Sequence, residues 1–249
     1  MEWHKAIATV RPHIVRITTP DLTGTGLLVG TGFLVSRSSE TPLVGIAIAA
    51  HVVLNAKSSR QRITIEHYAS GKTVVLKHTE REILHESSDN DTAALMMDGA
   101  KLPLPKRVLG LIGEGKTKKV GVELGWLGFP TVAMDGSLCF FSGRVSAYLG
   151  KDKTYLVDGV AINGVSGGPA FSIAGDSVQV VGVVSGYILN RDTETGEALH
   201  NVSVVQHVHQ FQWLAKELKT LDAASRKSDA SKKKREASRK SGAISGGTE

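Results

Sequence analysis

The feature that most constrains the fold is a succession of short apolar segments between about residues 10 and 210. HIVRI, GLLVGTGFLV, LVGIAIAA, QRITIEH, TVVLKH, VELGWLGF, LCFFSGRVSAYL and VQVVGVVSGYIL are rich in β-branched or aromatic residues. Clusters of Gly, Ser, Asp and Asn separate many of them, the pattern of strands joined by turns. No helical pattern of about 10–15 residues alternates with them, so a parallel α/β sheet is not expected. Many short strands with glycine punctuation predict an all-β chain built as antiparallel barrels or a sandwich. At 249 residues there is enough chain for one large β domain or two smaller ones.

Near residue 205 the pattern changes. Phe211, Leu214, Leu218 and Leu221 are spaced 3, 4 and 3 apart, which predicts a C-terminal helix over 211–222 with one face on the body. Residues 223–249 carry almost no apolar side chains and read as a disordered basic tail. The charge is concentrated there: residues 216–249 hold 10 of the 30 Lys and Arg and 5 of the 24 Asp and Glu, or +5 of the net +6. The near-neutral remainder gives no support for a basic nucleic-acid-binding face. Cys139 is the single cysteine, so an intrachain disulfide is excluded and nothing marks an oxidising compartment. The most apolar stretch, residues 43–54, is shorter than the roughly 18–20 residues that span a membrane. The amino terminus lacks a secretory pattern. A soluble, cytoplasmic chain without a transmembrane segment is expected.

Residues 164–169 read GVSGGP. Glycine allows close approaches that a side chain forbids, and proline fixes φ. Ser166 could be the tip of a tight turn, or a nucleophile beside backbone N–H groups free to hold negative charge. GVSGG also fits G-x-S-x-G, but that elbow needs a helix after the serine. Here GGPAFSIAGDSVQVVGVV follows, with an early proline and β-type alternation, so the elbow fails on context. The other order places His first, then the acid, then Ser. His51 follows the apolar run GIAIAA, and Asp91 opens DTAALMM, giving His51, Asp91 and Ser166 at separations of 40 and 75 residues. Taken alone, His51 could be a satisfied core histidine, though its place after an apolar strand and before Val52 and Val53 favours catalysis, and Asp89 shares the strand parity of Asp91. His207 and His209 could form a metal pair, but no Cys or acidic residue lies near them in sequence, and alternation at a strand end accounts for them better. No metal and no cofactor is expected.

Taken together, GTGFLVS (30–36), AAHVV (49–53), DTAAL (91–95), LGFP (127–130), GVSGGPAF (164–171) and VVGVVSGY (180–187) resemble the trypsin-like serine peptidases. The pattern is most similar to the disulfide-free catalytic domains of high-temperature-requirement proteases, here without a PDZ-like domain. The pieces occur in the family's order and cover roughly residues 10–215. The resemblance implies a peptidase domain over 1–210, with two antiparallel β-barrels at about 10–100 and 107–210, divided near KLPLPK (101–106). Ser166 would attack a peptide carbonyl to form an acyl-enzyme. His51 would take the serine proton, and Asp91, which the family's following x-Ala-x-Leu favours over Asp89, would orient His51. The N–H groups of Gly164 and Ser166 would form the oxyanion hole.

Val160 and Ala161 would lie at the base of the substrate pocket, with Ser185, Gly186 and Tyr187 as its wall. This implies cleavage after small or medium apolar residues. Val165 stands where zymogen-activated members carry an aspartate, so that activation route is not implied; a partner could order residues 160–165, as happens in some relatives. The expected activity is an intracellular serine endopeptidase acting on a protein or peptide substrate. The alternative is a pseudoprotease or partner-regulated binding module, tethered through residues 226–240 to nucleic acid or another anionic surface.

Overall fold

The computed structural model describes residues 1–21, 26–39, 41–85, 90–133, 135–191, 198–209, 211, 214 and 220. Helix α1 (Trp3–Val10) precedes β1 (Ile14–Pro20), β2 (Leu27–Arg37) and β3 (Leu43–Ala49). Then come α2 (Ala50–Ser58), β4 (Ile63–His67), β5 (Lys72–Leu76), β6 (Arg81–Leu84) and β7 (Thr92–Asp98). These strands form an antiparallel sheet in the order β5-β4-β1-β2-β3-β7-β6. The second unit holds β8 (Glu123–Gly128), β9 (Cys139–Leu149), β10 (Thr154–Asp158), β11 (Pro169–Ala174), β12 (Ser177–Arg191) and β13 (Ala198–His207). They close into a six-stranded barrel in the order β10-β13-β12-β11-β8-β9.

The expected all-β architecture of two antiparallel units is therefore present, and it departs from the expectation in places. The first unit is a half-barrel whose end strands β5 and β6 do not pair. Arg81, the first residue of β6, bridges that gap. Its guanidinium donates to Leu76 O on β5 at 3.1 Å and to Ala56 O in α2 at 3.0 Å. A planar fork with several donors can satisfy carbonyls that a missing strand leaves open.

A second difference concerns residues 43–54, which read as one apolar run. The structure divides them into β3 and the start of α2. A fully buried strand and a buried helix turn have the same apolar signature, so periodicity alone cannot separate them. β6 and β10 have no counterpart among the apolar segments, being only four and five residues long. At the amino terminus, Ala6 and Val10 form the buried face of α1, and Trp3 packs on Phe140 and Phe171 at ring distances of 5.3 and 5.8 Å.

Each unit has its own apolar core, Ile17, Ile46, Ile48, Ile65 and Leu95 in the first and Leu124, Trp126, Tyr155, Val181 and Val205 in the second. A third cluster lies between them. It joins Ile14, Phe33 and Ala47 to Leu127, Phe171 and Val183, and includes the helical residues Phe211 and Leu214. Burying one such side chain stabilises by about 1.5–3 kcal/mol, so this interface fixes the two units against each other. Leu218, Leu221 and residues 223–249, including the expected tail, lie outside the described residues. No described helix is long and apolar enough to cross a membrane.

Candidate active site

His51 and Asp91 meet because of strand register. In the β3–β7 pairing Ala49 faces Thr92, so the next residues, Ala50 and Asp91, stand opposite where the strands end. The Ala50 N–H donates to Asp91 O at 3.2 Å, and the chain then turns into α2. Residue 49 offers no side-chain cap for this helix. The Asp91 carboxylate supplies one, accepting the His51 N–H at Oδ1, 2.8 Å away. An anion at a helix N-terminus is favourable because the first N–H groups lack intrahelical partners. The other oxygen, Oδ2, lies 2.7 Å from His51 Nδ1. A carboxylate there favours the tautomer with the ring proton on Nδ1, leaving Nε2 as the acceptor nitrogen of a half-exposed ring.

Asp91 has a third partner. The Ser185 hydroxyl donates to Asp91 Oδ2 at 2.6 Å. Burial raises the Asp91 pKa, but the hydrogen bond and charge of His51, with the Ser185 hydroxyl, outweigh it and hold the carboxyl below its ordinary value. Ser185 reaches Asp91 because β12 bulges there: Val184 faces Val205 while Gly186 already faces Val204. An extra residue at a bulge re-aims its side chain. The string SGY carries no signature of a bulge, so by sequence Ser185 stands only in a pocket wall. Asp89, the competing acid, lies outside the described residues.

Ser166 sits in the turn before β11. Its Oγ donates to Ser185 O at 3.3 Å, so one residue contacts both the acid and the serine. Among the described hydrogen bonds none joins Ser166 Oγ to His51. The turn itself is set by close backbone packing. Gly164 has φ +91° and Gly167 has φ +92°, and a Cβ would strike Phe129 O at the first and Thr31 O at the second. The Thr131 N–H donates to Asn163 O at 2.9 Å. Since that peptide is trans, the Gly164 N–H is turned to the opposite side. Neither this N–H nor that of Ser166 has a described protein acceptor. Two unpaired donors next to a serine hydroxyl can hold an oxyanion.

The remaining predicted positions lie around this turn. Val160 is 44% exposed, whereas Ala161 is buried. Gly186 faces open space where a Cβ would stand. Tyr187 pairs with Ser203, whose buried hydroxyl donates to Gly159 O at 2.8 Å behind the loop. Val165 is fully buried beside Gly128, in apolar surroundings.

His207 has both ring nitrogens engaged within the fold. Nε2 lies 2.9 Å from Lys116 O and Nδ1 accepts the His209 N–H at 2.9 Å. That makes it a satisfied core histidine. No group of three or more His, Cys, Asp or Glu among the described residues is arranged to hold a metal.

Neither a protein-family model nor a curated protein sequence matches the chain. Solved structures do. The chain is similar to the Rv3671c protease of M. tuberculosis in its active form, at 20% identity over 83% of this chain and 81% of that one, with a TM-score of 0.57. It is similar to the inactive form of that protein, a serine-to-alanine mutant, at 18% identity over 86% and 90%, with a TM-score of 0.55. It is also similar to a serine endoprotease from Yersinia pestis, at 17% identity over 88% of this chain and 66% of that one, with a TM-score of 0.62. At these identities the likeness carries the fold, which is that of the trypsin-like serine proteases. The site rests on the residues of this chain.

Proposed function

We propose that the chain is a serine endopeptidase of the trypsin-like type. The observation that carries this reading is the linkage of His51, Asp91 and Ser185 to Ser166, beside two N–H donors that have no described protein acceptor. A free serine hydroxyl is a poor nucleophile and needs a base. In this reading the Ser166 hydroxyl leaves Ser185 O and donates to His51 Nε2 once substrate is bound, since catalytic hydrogen bonds tighten in the complex. Ser166 Oγ then bonds to the peptide carbonyl carbon while its proton passes to Nε2. The carbonyl oxygen becomes an oxyanion between the Gly164 and Ser166 N–H groups. His51 returns the proton to the leaving amine, the C–N bond breaks, and water releases the acyl group by the same route.

The division into a peptidase domain over 1–210 and a tail belongs to this proposal, as does the high-temperature-requirement-like subtype. The one cysteine supports an intracellular setting. Val160, Ala161, Gly186 and Tyr187 carry no charge, which supports cleavage after small or medium apolar residues. Incubation of a random peptide library with the wild type and Ser166→Ala tests both points. Cuts after Ala, Val or Leu that disappear in the variant are expected. Preferential cutting after Arg or Lys would overturn the specificity, and no cutting at all the activity.

One observation favours a second reading. Ser166 Oγ is directed at Ser185 O, so a partner that reorients it could act as an activator, with residues 226–240 as an anionic-surface tether. Peptide hydrolysis that appears only on addition of a partner would select this reading.

A further inference from the structure

Thr31 belongs to the first unit, yet its polar contacts reach into the nucleophile turn of the second. It lies in β2 between Gly30 and Gly32 and is fully buried. Its N–H donates to Ser166 O at 2.8 Å. Its hydroxyl donates to Gly164 O at 2.9 Å and accepts the Phe129 N–H at 3.1 Å. One side chain therefore ties the peptide after Gly164 to the strand end at Phe129.

The placement bears on the donors. Gly164 sits between two peptide planes. Thr131 holds the one before it through Asn163 O, while the one after it is held at its N–H by Ile162 O, 3.1 Å from Val165 N, and at its carbonyl by the Thr31 hydroxyl. A glycine at φ +91° has no side chain of its own to resist rotation of either plane. Thr31 N–H then fixes the carbonyl of the nucleophile. Resting on the peptidase reading, we propose that the Thr31 hydroxyl is a positioning residue of the oxyanion hole, holding the Gly164 N–H toward the cleft. Without it, Gly164 O and Phe129 N–H lose their described partner inside the protein, and a turn of the Gly164 peptides to find others would move the donor off the oxyanion. That loss falls on the transition state, because the ground-state carbonyl draws less on the hole.

The test is steady-state peptide hydrolysis by Thr31→Val, which keeps shape and removes the hydroxyl, and by Thr31→Ser, which keeps the hydroxyl. Outright loss of an oxyanion donor costs about 10²–10³ in kcat. Misplacing one should lower kcat about 10- to 100-fold in Thr31→Val, with KM within about twofold. Thr31→Ser should recover most of the rate. If the valine protein does not fold, the smaller Thr31→Ala carries the same expectation. A folded variant lacking the hydroxyl with wild-type kcat, or a loss confined to KM, overturns the inference while the peptidase reading stands. A wild type with no activity overturns both.

Discussion

On the His51 side of the cleft the links run through side chains, whereas on the Ser166 side they run mainly through the backbone. Asp91 gathers the His51 N–H, the His51 ring and the Ser185 hydroxyl on one carboxylate. The nucleophile turn is held by main-chain bonds from Thr131, Thr31 and neighbouring residues, with glycines where the backbones press together. A charged group bound by several donors is strongly oriented. A glycine turn is oriented only by its surroundings. The His51 side is thus held by a charged side chain, whereas the Ser166 side is held by packing and main-chain bonds.

The comparison can be broken first at the reacting atoms. Ser166→Ala should lower kcat about 10⁶-fold, and His51→Ala by a similar amount, in a fold whose circular dichroism is unchanged. Asp91→Asn removes the charge and alters the tautomer, and should cost about 10⁴ in kcat. Gly164→Ala attacks the other half. Its Cβ meets Phe129 O, so the donor must move and kcat should fall about 10²–10³ while Asp91 keeps its contacts. Ser185→Ala removes one of several bonds to the carboxylate and should cost about tenfold, measured with the same substrate.

The smallest effect concerns stability. Burial, then the charge of Lys153 and the neighbouring His207, push His209 down to about 4 from its ordinary 6.5. The unfolded chain therefore binds this proton at a higher pH than the folded one. Stability is retained above about pH 6.5 and is lost as pH falls toward 4. Melting temperatures across that window should fall, and His209→Gln should make the fall shallower. An unchanged slope would remove His209 from the account.

Strands were legible wherever β-branched residues and turn glycines alternate, and Phe211 with Leu214 was legible from helical spacing. His51, Asp91 and Ser166 could be named because their order and local strings are distinctive. What could not be read depends on register and close approach. The Ala49–Thr92 pairing decides which aspartate reaches His51, and the bulge at Ser185 decides that its hydroxyl faces Asp91 rather than only a pocket. Thr31 is one hydroxyl in GTGFLVS, and its bonds cross to residues 98 and 133 positions away. No local pattern encodes such contacts.

Activation of Ser166 by His51 would make its hydroxyl reactive toward phosphorus electrophiles. The most direct measurement is intact-protein and peptide mass spectrometry after exposure to a fluorophosphonate. One adduct is expected, located on Ser166 and absent from both Ser166→Ala and His51→Ala. An adduct on another residue, or one that persists in His51→Ala at the wild-type rate, would contradict that activation.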